Sequence, residues 1–272
     1  MVDDPKVIDG RRLILLCRCR HTQNIPAEVL EAVCTALESS GAGAMMVDDL
    51  CGLAARRDPR LTALSGRGDV RIAACFPRAL RWLLSWAGVE LAQDALLLNL
   101  RTQPAQEIVD CLLSDANAAV QRNAIEPQAT KPQAEDAAKP QAEEPQAVDQ
   151  AEPQMDDAWV AWFPVIDFAR CANCRQCLSF CLFGVYDQDQ QAMVRVARPA
   201  NCKTNCPACA RTCPKVAIIF PKYAPGGPIA GQDVGPDGLK GDVVNVEYSK
   251  LLGPDVMEKL RQRGSRDDLS SI

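Results

Sequence analysis

The sequence has little histidine, few aromatic residues and no long apolar run. His21 is the single histidine among 272 residues, which leaves little room for histidine acid–base catalysis or a histidine-rich zinc site. Apolar runs such as 13–17 and 216–220 are five residues long, against roughly 18 residues for a membrane span. The segment after Met1 lacks the basic and apolar regions of a secretory signal. We therefore expect a cytoplasmic protein without a membrane span.

Cysteine, by contrast, is abundant, with 14 residues. Disulfides are rare in the reducing cytoplasm, so ligation of metal by thiolates is the leading interpretation of this count. The remaining composition, with 47% hydrophobic and 24% charged residues, is typical of a chain that buries an ordinary core. The sequence thus indicates a globular metal-binding protein.

The acidic net charge of −5 is concentrated in residues 124–157. This segment holds nine acids against two lysines, a net of −7, so the other residues sum to about +2 and offer no basic patch for nucleic acid. It also repeats Pro-Gln-Ala, at 127–129, 132–134, 140–142 and 145–147. Since such a composition cannot build a core, we predict a disordered linker that lets the flanking units swing relative to each other.

The linker divides the chain into predicted parts. They are a domain at 1–123, the linker at 124–157, a cysteine-rich domain at 158–224, and an extended Gly- and Pro-rich tail at 225–272 with a short helix near 254–263. In the first domain, strands are predicted at 13–16, 44–47, 70–74 and 95–100. Helices are predicted at 26–40, at 53–64 with an interruption at Asp58-Pro59, at 77–86 and at 105–122. This βαβα alternation predicts an α/β domain of Rossmann or flavodoxin-like class, with a parallel sheet covered on both faces.

Two four-cysteine runs in the second domain are the most specific pattern in the chain. The first, Cys-x2-Cys-x2-Cys-x3-Cys, consists of Cys171, Cys174, Cys177 and Cys181. The second, Cys-x3-Cys-x2-Cys-x3-Cys-Pro, consists of Cys202, Cys206, Cys209 and Cys213. This spacing lets one loop aim three thiolates at one cubane cluster while the fourth cysteine turns towards another cluster. Structural zinc also uses Cys-x2-Cys pairs, but it gives no reason for the x2-x2-x3 grouping to occur twice.

The paired runs resemble the bacterial two-cluster ferredoxin over about 60 residues. The resemblance implies an α+β ferredoxin-like domain in which segments 163–168 and 216–220 pair as strands, with a hairpin at 185–196. It also implies two 4Fe-4S clusters with crossed ligation. One cluster is expected on Cys171, Cys174, Cys177 and Cys213, and the other on Cys202, Cys206, Cys209 and Cys181. The sequence departs from the family at Leu182, where proline is usual, and at 203–205, which is one residue longer.

Six further cysteines lie in the first domain. Cys34 and Cys111 fall on the apolar stripes of predicted helices and are expected in the core. The other four end or follow the first three predicted strands: Cys17, Cys19, Cys51 and Cys75. Ligand sites of an open parallel sheet form at the carboxyl ends of its strands, so these four thiols are expected at one metal site. Chance placement of small buried residues is the alternative.

The segments 15–19, 47–51, 71–78 and 98–101 are similar to the N-terminal domain of the heterodisulfide reductase A family. The resemblance implies a third 4Fe-4S cluster on some or all of Cys17, Cys19, Cys51 and Cys75. Arg20 stands where that family has glycine, so either Cys19 or His21 is the ligand there, and His21 is otherwise a surface residue. No Gly-x-Gly-x-x-Gly follows a strand, so the family's flavin domain is missing and a partner would supply any flavin.

These features favour an electron-transfer protein or a subunit of a redox complex over an enzyme. Clusters ligated entirely by cysteine have no open coordination site, so they conduct electrons. The expected partners are redox proteins, including a flavin-containing subunit. The alternative is an oxidoreductase whose N-terminal cluster is the reactive site for a disulfide or thiol substrate, with Arg18, Arg20, Arg78 and Arg81 nearby. A redox sensor ranks third because no DNA-binding element accompanies the cysteines.

Overall fold

The computed structural model describes residues 12–114 and 159–234. The predicted linker at 124–157 and the short helix expected near 254–263 lie outside the described residues. Within the described ranges, no helix is long and apolar enough to cross a membrane.

The first unit is a parallel sheet of four strands in the order β2-β1-β3-β4. The strands are β1 (Leu13–Cys17), β2 (Ala44–Val47), β3 (Val70–Ala74) and β4 (Leu96–Asn99). The helices are α1 (Ala27–Ser40), α2 (Leu50–Ala55), α3 (Pro77–Trp86) and α4 (Ala105–Leu113). The α/β class and the parallel sheet predicted from the apolar periodicity are confirmed.

The helix predicted at 53–64 is interrupted at Asp58-Pro59, as expected, but it begins three residues earlier. Helix α2 begins at Leu50 and ends at Ala55, and a 3-10 helix follows from Pro59 to Leu64. Pro59 has no backbone N–H and disfavours a helical residue before it, so the chain restarts there. The Asp58 side chain accepts a hydrogen bond from the Arg60 N–H at 2.9 Å and caps the new helix. The earlier start of α2 places Cys51 in its first turn instead of in the loop after the strand.

The second unit is built from short elements. Strand β5 (Val165–Ile166) pairs antiparallel with β8 (Ile218–Ile219), and β6 (Tyr186–Gln188) forms a hairpin with β7 (Val194–Val196). The other elements are α5 (Gln176–Phe180), α6 (Ala208–Thr212) and a 3-10 helix at Pro199–Asn201. The strand pairing and the hairpin expected for this part of the chain are confirmed.

The start of the predicted tail is folded, which differs from the extended segment expected after residue 224. Residues Gly227–Ala230 form α7, and the Ile229 carbonyl accepts a hydrogen bond from the Phe220 N–H at 2.7 Å. Gly231 has a φ of +100°, and a Cβ there would lie 2.5 Å from the Cβ of Ala79 in α3. Only glycine permits both this backbone conformation and this close approach. The segment 225–231 therefore packs against the first unit.

The two units share one hydrophobic core, which runs from one face of the parallel sheet across α3 into the second unit. The Trp86 ring packs on Phe163, with ring centroids 4.9 Å apart, and its Nε1–H donates to the Val196 carbonyl at 3.1 Å. A smaller core with α1 and α4 covers the opposite face of the sheet. The structure thus differs from the expectation of a freely swinging second unit, because apolar burial and specific hydrogen bonds hold it against α3.

Candidate metal centres

The loop between Cys171 and Cys177 is shaped by two residues in the left-handed region. Asn173 has a φ of 50° and Arg175 a φ of 61°, a conformation that asparagine tolerates better than most residues. The Asn173 amide donates to the Ala192 carbonyl, and its oxygen accepts the Val194 N–H, both at 3.0 Å. The β6–β7 hairpin therefore holds this cysteine loop in place.

Four thiols line one cavity in this unit. They belong to Cys171, Cys174, Cys177 and Cys213, and the cavity has about 350 Å³ of empty space that is open in part to solvent. Burial raises the pKa of Cys171, and the charges of Cys213 and Cys174 raise it further. The Ala217 N–H donates to the Cys213 sulfur at 3.3 Å. A cavity lined by four thiols, with a backbone N–H on one sulfur, fits the donor set of a 4Fe-4S cluster.

A second group of thiols lies beside the first. It consists of Cys181, Cys202, Cys206 and Cys209. Burial raises the pKa of Cys209 to about 12, with further contributions from the charges of Cys181 and Cys206, although the Tyr186 hydroxyl opposes the shift by donating to the Cys209 sulfur at 3.1 Å. Burial likewise raises the pKa of Cys202, and Cys209, Cys181 and Cys206 add to it. Metal binds the deprotonated thiolate. Because the pKa values of these thiols are raised, they would release protons when metal binds.

The extra residue of the second run is accommodated by a tight turn. Asn205 takes a φ of 61°, and the Cys206 N–H donates to the Lys203 carbonyl at 3.1 Å. Asparagine again occupies the left-handed position, as Asn173 does in the first run. The insertion therefore widens the loop while Cys206 still joins the second group of thiols.

Helices α5 and α6 connect the two groups. Helix α5 carries Cys177 of the first group and is capped by Cys181 of the second, whereas α6 carries Cys209 of the second and is capped by Cys213 of the first. The charge of Cys209 also raises the pKa of Cys177, after burial as the main cause. The structure thus places four thiols around one cavity and the other four beside it, and the ligand sets that the resemblance implied stay predictions.

Among residues 12–114 and 159–234, no three His, Cys, Asp or Glu side chains converge closely enough to hold one metal ion. The preference for an iron-sulfur cluster over structural zinc therefore rests on the cysteine spacing of the sequence.

In the first unit, the cysteines gather at the carboxyl edge of the sheet. Cys17 is the last residue of β1 and Cys75 directly follows β3, the two adjacent central strands. Cys51 lies in the first turn of α2, and Cys19 follows β1 by two residues. Cys19 itself has a φ of 48°, so the left-handed turn falls one residue before Arg20 and does not need a glycine at position 20.

The four thiols of this edge influence one another. A hydrogen bond with Cys17 lowers the pKa of Cys19 to about 6, and Thr22, whose Oγ1 is 2.9 Å from the sulfur, contributes to the shift. Burial raises the pKa of Cys75 to about 12, and the charge of Cys19 adds to this shift. Burial also raises the pKa of Cys51, with smaller effects from Cys75 and Cys19. The structure thus brings together Cys17, Cys19, Cys51 and Cys75.

The side chain of His21 is exposed, and the two remaining cysteines lie in helices on the opposite face of the sheet. The His21 side chain is 46% exposed, and its Nε2 is 4.0 Å from the Asp49 carboxylate, which fits the surface interpretation. Cys34 and Cys111 lie in α1 and α4 and pack in the core on the opposite face of the sheet. Their expected role as apolar core residues agrees with these positions.

Two cations adjoin the thiols of the first unit: Lys222, which the sequence did not indicate, and Arg101 of the segment 98–101. The Lys222 amine is buried and donates to the Asp49 carboxylate at 2.7 Å. Its charge lowers the pKa of Cys19 and opposes the rise in that of Cys51. The charge of Arg101 likewise opposes the rise in the pKa of Cys75. The Arg101 guanidinium donates hydrogen bonds to the carbonyls of residues 223 and 224 at 3.1 and 2.9 Å. Segment 222–224 of the second unit therefore covers this site.

Three arginines that the sequence suggested for this site engage other partners. Arg18 and Arg20 form ion pairs with Asp48, at 2.8 and 3.2 Å. The buried side chain of Arg78 binds Asp167 of the second unit at 2.6 Å. The sequence placed these cations near the thiols by proximity along the chain, whereas Lys222 reaches the site only through packing of the two units.

Over 63 residues the chain is 48% identical to an uncharacterized ferredoxin of Methanocaldococcus jannaschii. The matched residues are 23% of this chain and 42% of that protein, so the chain spans less than half of the relative's length. No protein-family model and no solved structure matches the chain. The likeness gives no support to the resemblance of the first unit to the heterodisulfide reductase A family, but it supports a ferredoxin domain within the chain.

Proposed function

We propose that this protein transfers electrons through iron-sulfur clusters, as a redox protein or as a subunit of a redox complex. The observation that carries the proposal is the pair of adjoining thiol groups in the second unit, each made of three cysteines from one run and the last cysteine of the other. Four thiolates on one cubane leave no coordination site for a substrate, so such a cluster conducts single electrons. The 48% identity to a ferredoxin supports the same function.

Each residue of the proposed clusters has a defined task. Cys171, Cys174, Cys177 and Cys213 hold the first 4Fe-4S cluster, and Cys181, Cys202, Cys206 and Cys209 hold the second. The Ala217 N–H and the Tyr186 hydroxyl donate hydrogen bonds to cluster sulfurs, which makes the reduced, more negative state easier to form.

We assign a third cluster to Cys17, Cys19, Cys51 and Cys75 at the edge of the parallel sheet. Each of these thiols interacts electrostatically with at least two of the others, and the charges of Lys222 and Arg101 act on this group. Cations in a buried site offset the negative charge of a thiolate-ligated cluster. Four available thiols favour electron conduction over the alternative of a reactive cluster that takes a disulfide or thiol substrate.

The test is anaerobic purification of the whole chain, followed by iron and sulfide analysis and EPR. We expect about eight to twelve iron atoms per chain and signals of reduced 4Fe-4S clusters on titration with a low-potential reductant. Four iron atoms or fewer per chain would contradict the proposal. An unligated Cys19, detected by alkylation of the loaded protein, would support the oxidoreductase alternative at the N-terminal cluster.

The packing of the units implies that electrons move between fixed sites. We propose that the second unit stays docked on α3 during transfer and that its redox partners, including a flavin-containing subunit, bind to the assembled surface. A protease site introduced within residues 124–157 tests this docking. After cleavage, we expect the two fragments to coelute on anaerobic size-exclusion chromatography, and separate elution would restore the swinging-domain hypothesis.

A further inference from the structure

Arg78 is a buried arginine of the first unit whose hydrogen bonds all reach into the second. It lies in the first turn of α3, and its side chain is 7% exposed. Its Nε donates to the Asp167 carboxylate and its Nη2 to the Val216 carbonyl, both at 2.6 Å, while its Nη1 donates to the Pro228 carbonyl at 3.3 Å. One rigid guanidinium therefore joins three separate segments of the second unit.

Asp167, the first of these partners, organises the chain that enters the first cysteine loop. Its backbone carbonyl accepts the Cys171 N–H at 2.9 Å, and its own N–H donates to the Ala217 carbonyl at 2.8 Å. Its second carboxylate oxygen accepts the Ala169 N–H at 3.1 Å. The position of Asp167 thus fixes the backbone on which Cys171 stands.

Val216, the second partner, lies in the chain that leaves the last cysteine. It has a φ of 51°, a conformation that β-branched residues rarely adopt and that persists only where surrounding contacts hold it. Its N–H donates to the Cys213 carbonyl at 3.1 Å, and the next N–H, that of Ala217, donates to the Cys213 sulfur at 3.3 Å. The Arg78 bond to the Val216 carbonyl therefore stabilises the turn that aims an N–H at a cluster sulfur.

We propose that Arg78 is a positioning residue for the first cluster, on the condition that the proposed function is correct. From the first unit it holds the two chain segments that carry Cys171 and Cys213, and through them the N–H to sulfur bond that tunes the cluster. Its positive charge is paired with the Asp167 carboxylate, and its hydrogen bonds also fix the positions of the segments that it contacts. The α/β unit thereby controls the redox properties of a cluster whose ligands all lie in the other unit.

The test compares reduction potentials and iron release in the whole chain, measured by EPR-monitored titration and by uptake of iron by a chelator. Arg78→Gln leaves the Asp167 carboxylate buried without its cation, so we expect the first cluster to become harder to reduce. The expected change is about tenfold in the one-electron equilibrium, which is ~59 mV. Iron release from this cluster is expected to be faster by a similar factor. The signal of the first cluster is identified by its loss in Cys174→Ser.

Two further variants separate positioning from charge. Asp167→Asn removes the anion and keeps the cation, so the potential is expected to shift in the opposite direction. Arg78→Gln with Asp167→Asn restores the charge balance, so the potential should return towards the wild-type value while iron release stays fast. Arg67→Gln, which breaks the exposed ion pair between Arg67 and Asp69 in the first unit, is the matched control and should change neither quantity.

The outcomes distinguish the two proposals. A shift confined to the first cluster, together with fast iron release in the double variant, supports the positioning role. Wild-type iron release in the double variant, or equal shifts of all clusters in Arg78→Gln, overturns it and leaves the proposed function intact. A wild-type chain that binds no iron overturns the proposed function itself, and the positioning role with it. If Arg78→Gln does not fold, Asp167→Asn and Arg78→Lys still test the positioning role. Lysine keeps the positive charge of Arg78 but loses its forked set of hydrogen bonds, so fast iron release in Arg78→Lys supports that role.

Discussion

The two groups of thiols in the second unit and the single group in the first differ in what holds them. In the second unit the cysteines lie in loops and in helices of five residues, between strands of two or three residues. In the first unit they lie at or just after the ends of strands of four or five residues in a regular, buried sheet. A sheet of this kind is stable through its own apolar packing, whereas short strands bury little. We therefore expect bound metal to contribute more to the stability of the second unit than to that of the first.

The two units also depend on each other. Lys222 of the second unit lies beside the thiols of the first, and Arg78 of the first anchors the segments that carry Cys171 and Cys213 of the second. Each unit therefore contributes a buried cation whose hydrogen bonds are made in the other unit. Such reciprocal contacts favour one redox body over two tethered ones.

The largest expected effect is the loss of a cluster in the second unit. Cys177→Ala removes a ligand, and we expect the chain to lose about four iron atoms and much of the cooperative folding of residues 159–234. Iron analysis and near-UV circular dichroism measure these changes. Cys111→Ala, which truncates a core cysteine of α4, is the matched control and should keep its iron. Native dichroism in Cys177→Ala without iron would contradict the dependence of this unit on metal.

A smaller effect is expected for the corresponding change in the first unit. Cys75→Ala should also release about four iron atoms per chain, but the parallel sheet should remain folded because Cys75 follows β3 and is not part of it. The EPR signals of the second unit should persist. Cys34→Ala is the control in the same unit. An unchanged iron count in Cys75→Ala would show that the N-terminal thiols hold no cluster.

The sequence predicts the features of the fold and of the sites that depend on local patterns, but not those that depend on packing between the units. The apolar periodicity predicted the strands to within a few residues, and the resemblance to the two-cluster ferredoxin implied which thiols lie near one another in the second unit. The N-terminal thiols required one more step, the rule that parallel strands end at one edge. Lys222 carried no such signal, since its partner Asp49 lies 173 residues away. The contacts of Arg78 with the second unit could not be predicted either, because neither the apolar periodicity nor the cysteine spacing indicates how one unit docks on another.

The charge of Lys222 offers a more subtle test of the first site. Lys222→Met removes a buried cation beside the thiols, so the third cluster should become harder to reduce, by on the order of 60 mV, or about tenfold in the one-electron equilibrium. Lys222→Arg should retain most of the wild-type potential. Lys215→Met is the control, because Lys215 lines the cavity of the first cluster and should leave the third signal in place. If the reduction potential of the third cluster is the same in Lys222→Met as in the wild type, the charge of Lys222 does not act across the interface between the units.

The smallest expected effect concerns the interface between the units. Trp86→Phe keeps the ring packing on Phe163 but removes the hydrogen bond from Nε1 to the Val196 carbonyl. A typical hydrogen bond contributes about 1 kcal/mol, so the free energy of unfolding in anaerobic denaturant titrations should fall by that amount. Ser85→Ala, at an exposed position of the same helix, should leave it unchanged. If the units unfold in separate transitions and Trp86→Phe moves neither, the docking of the second unit on α3 contributes nothing to stability, and the single redox body is wrong.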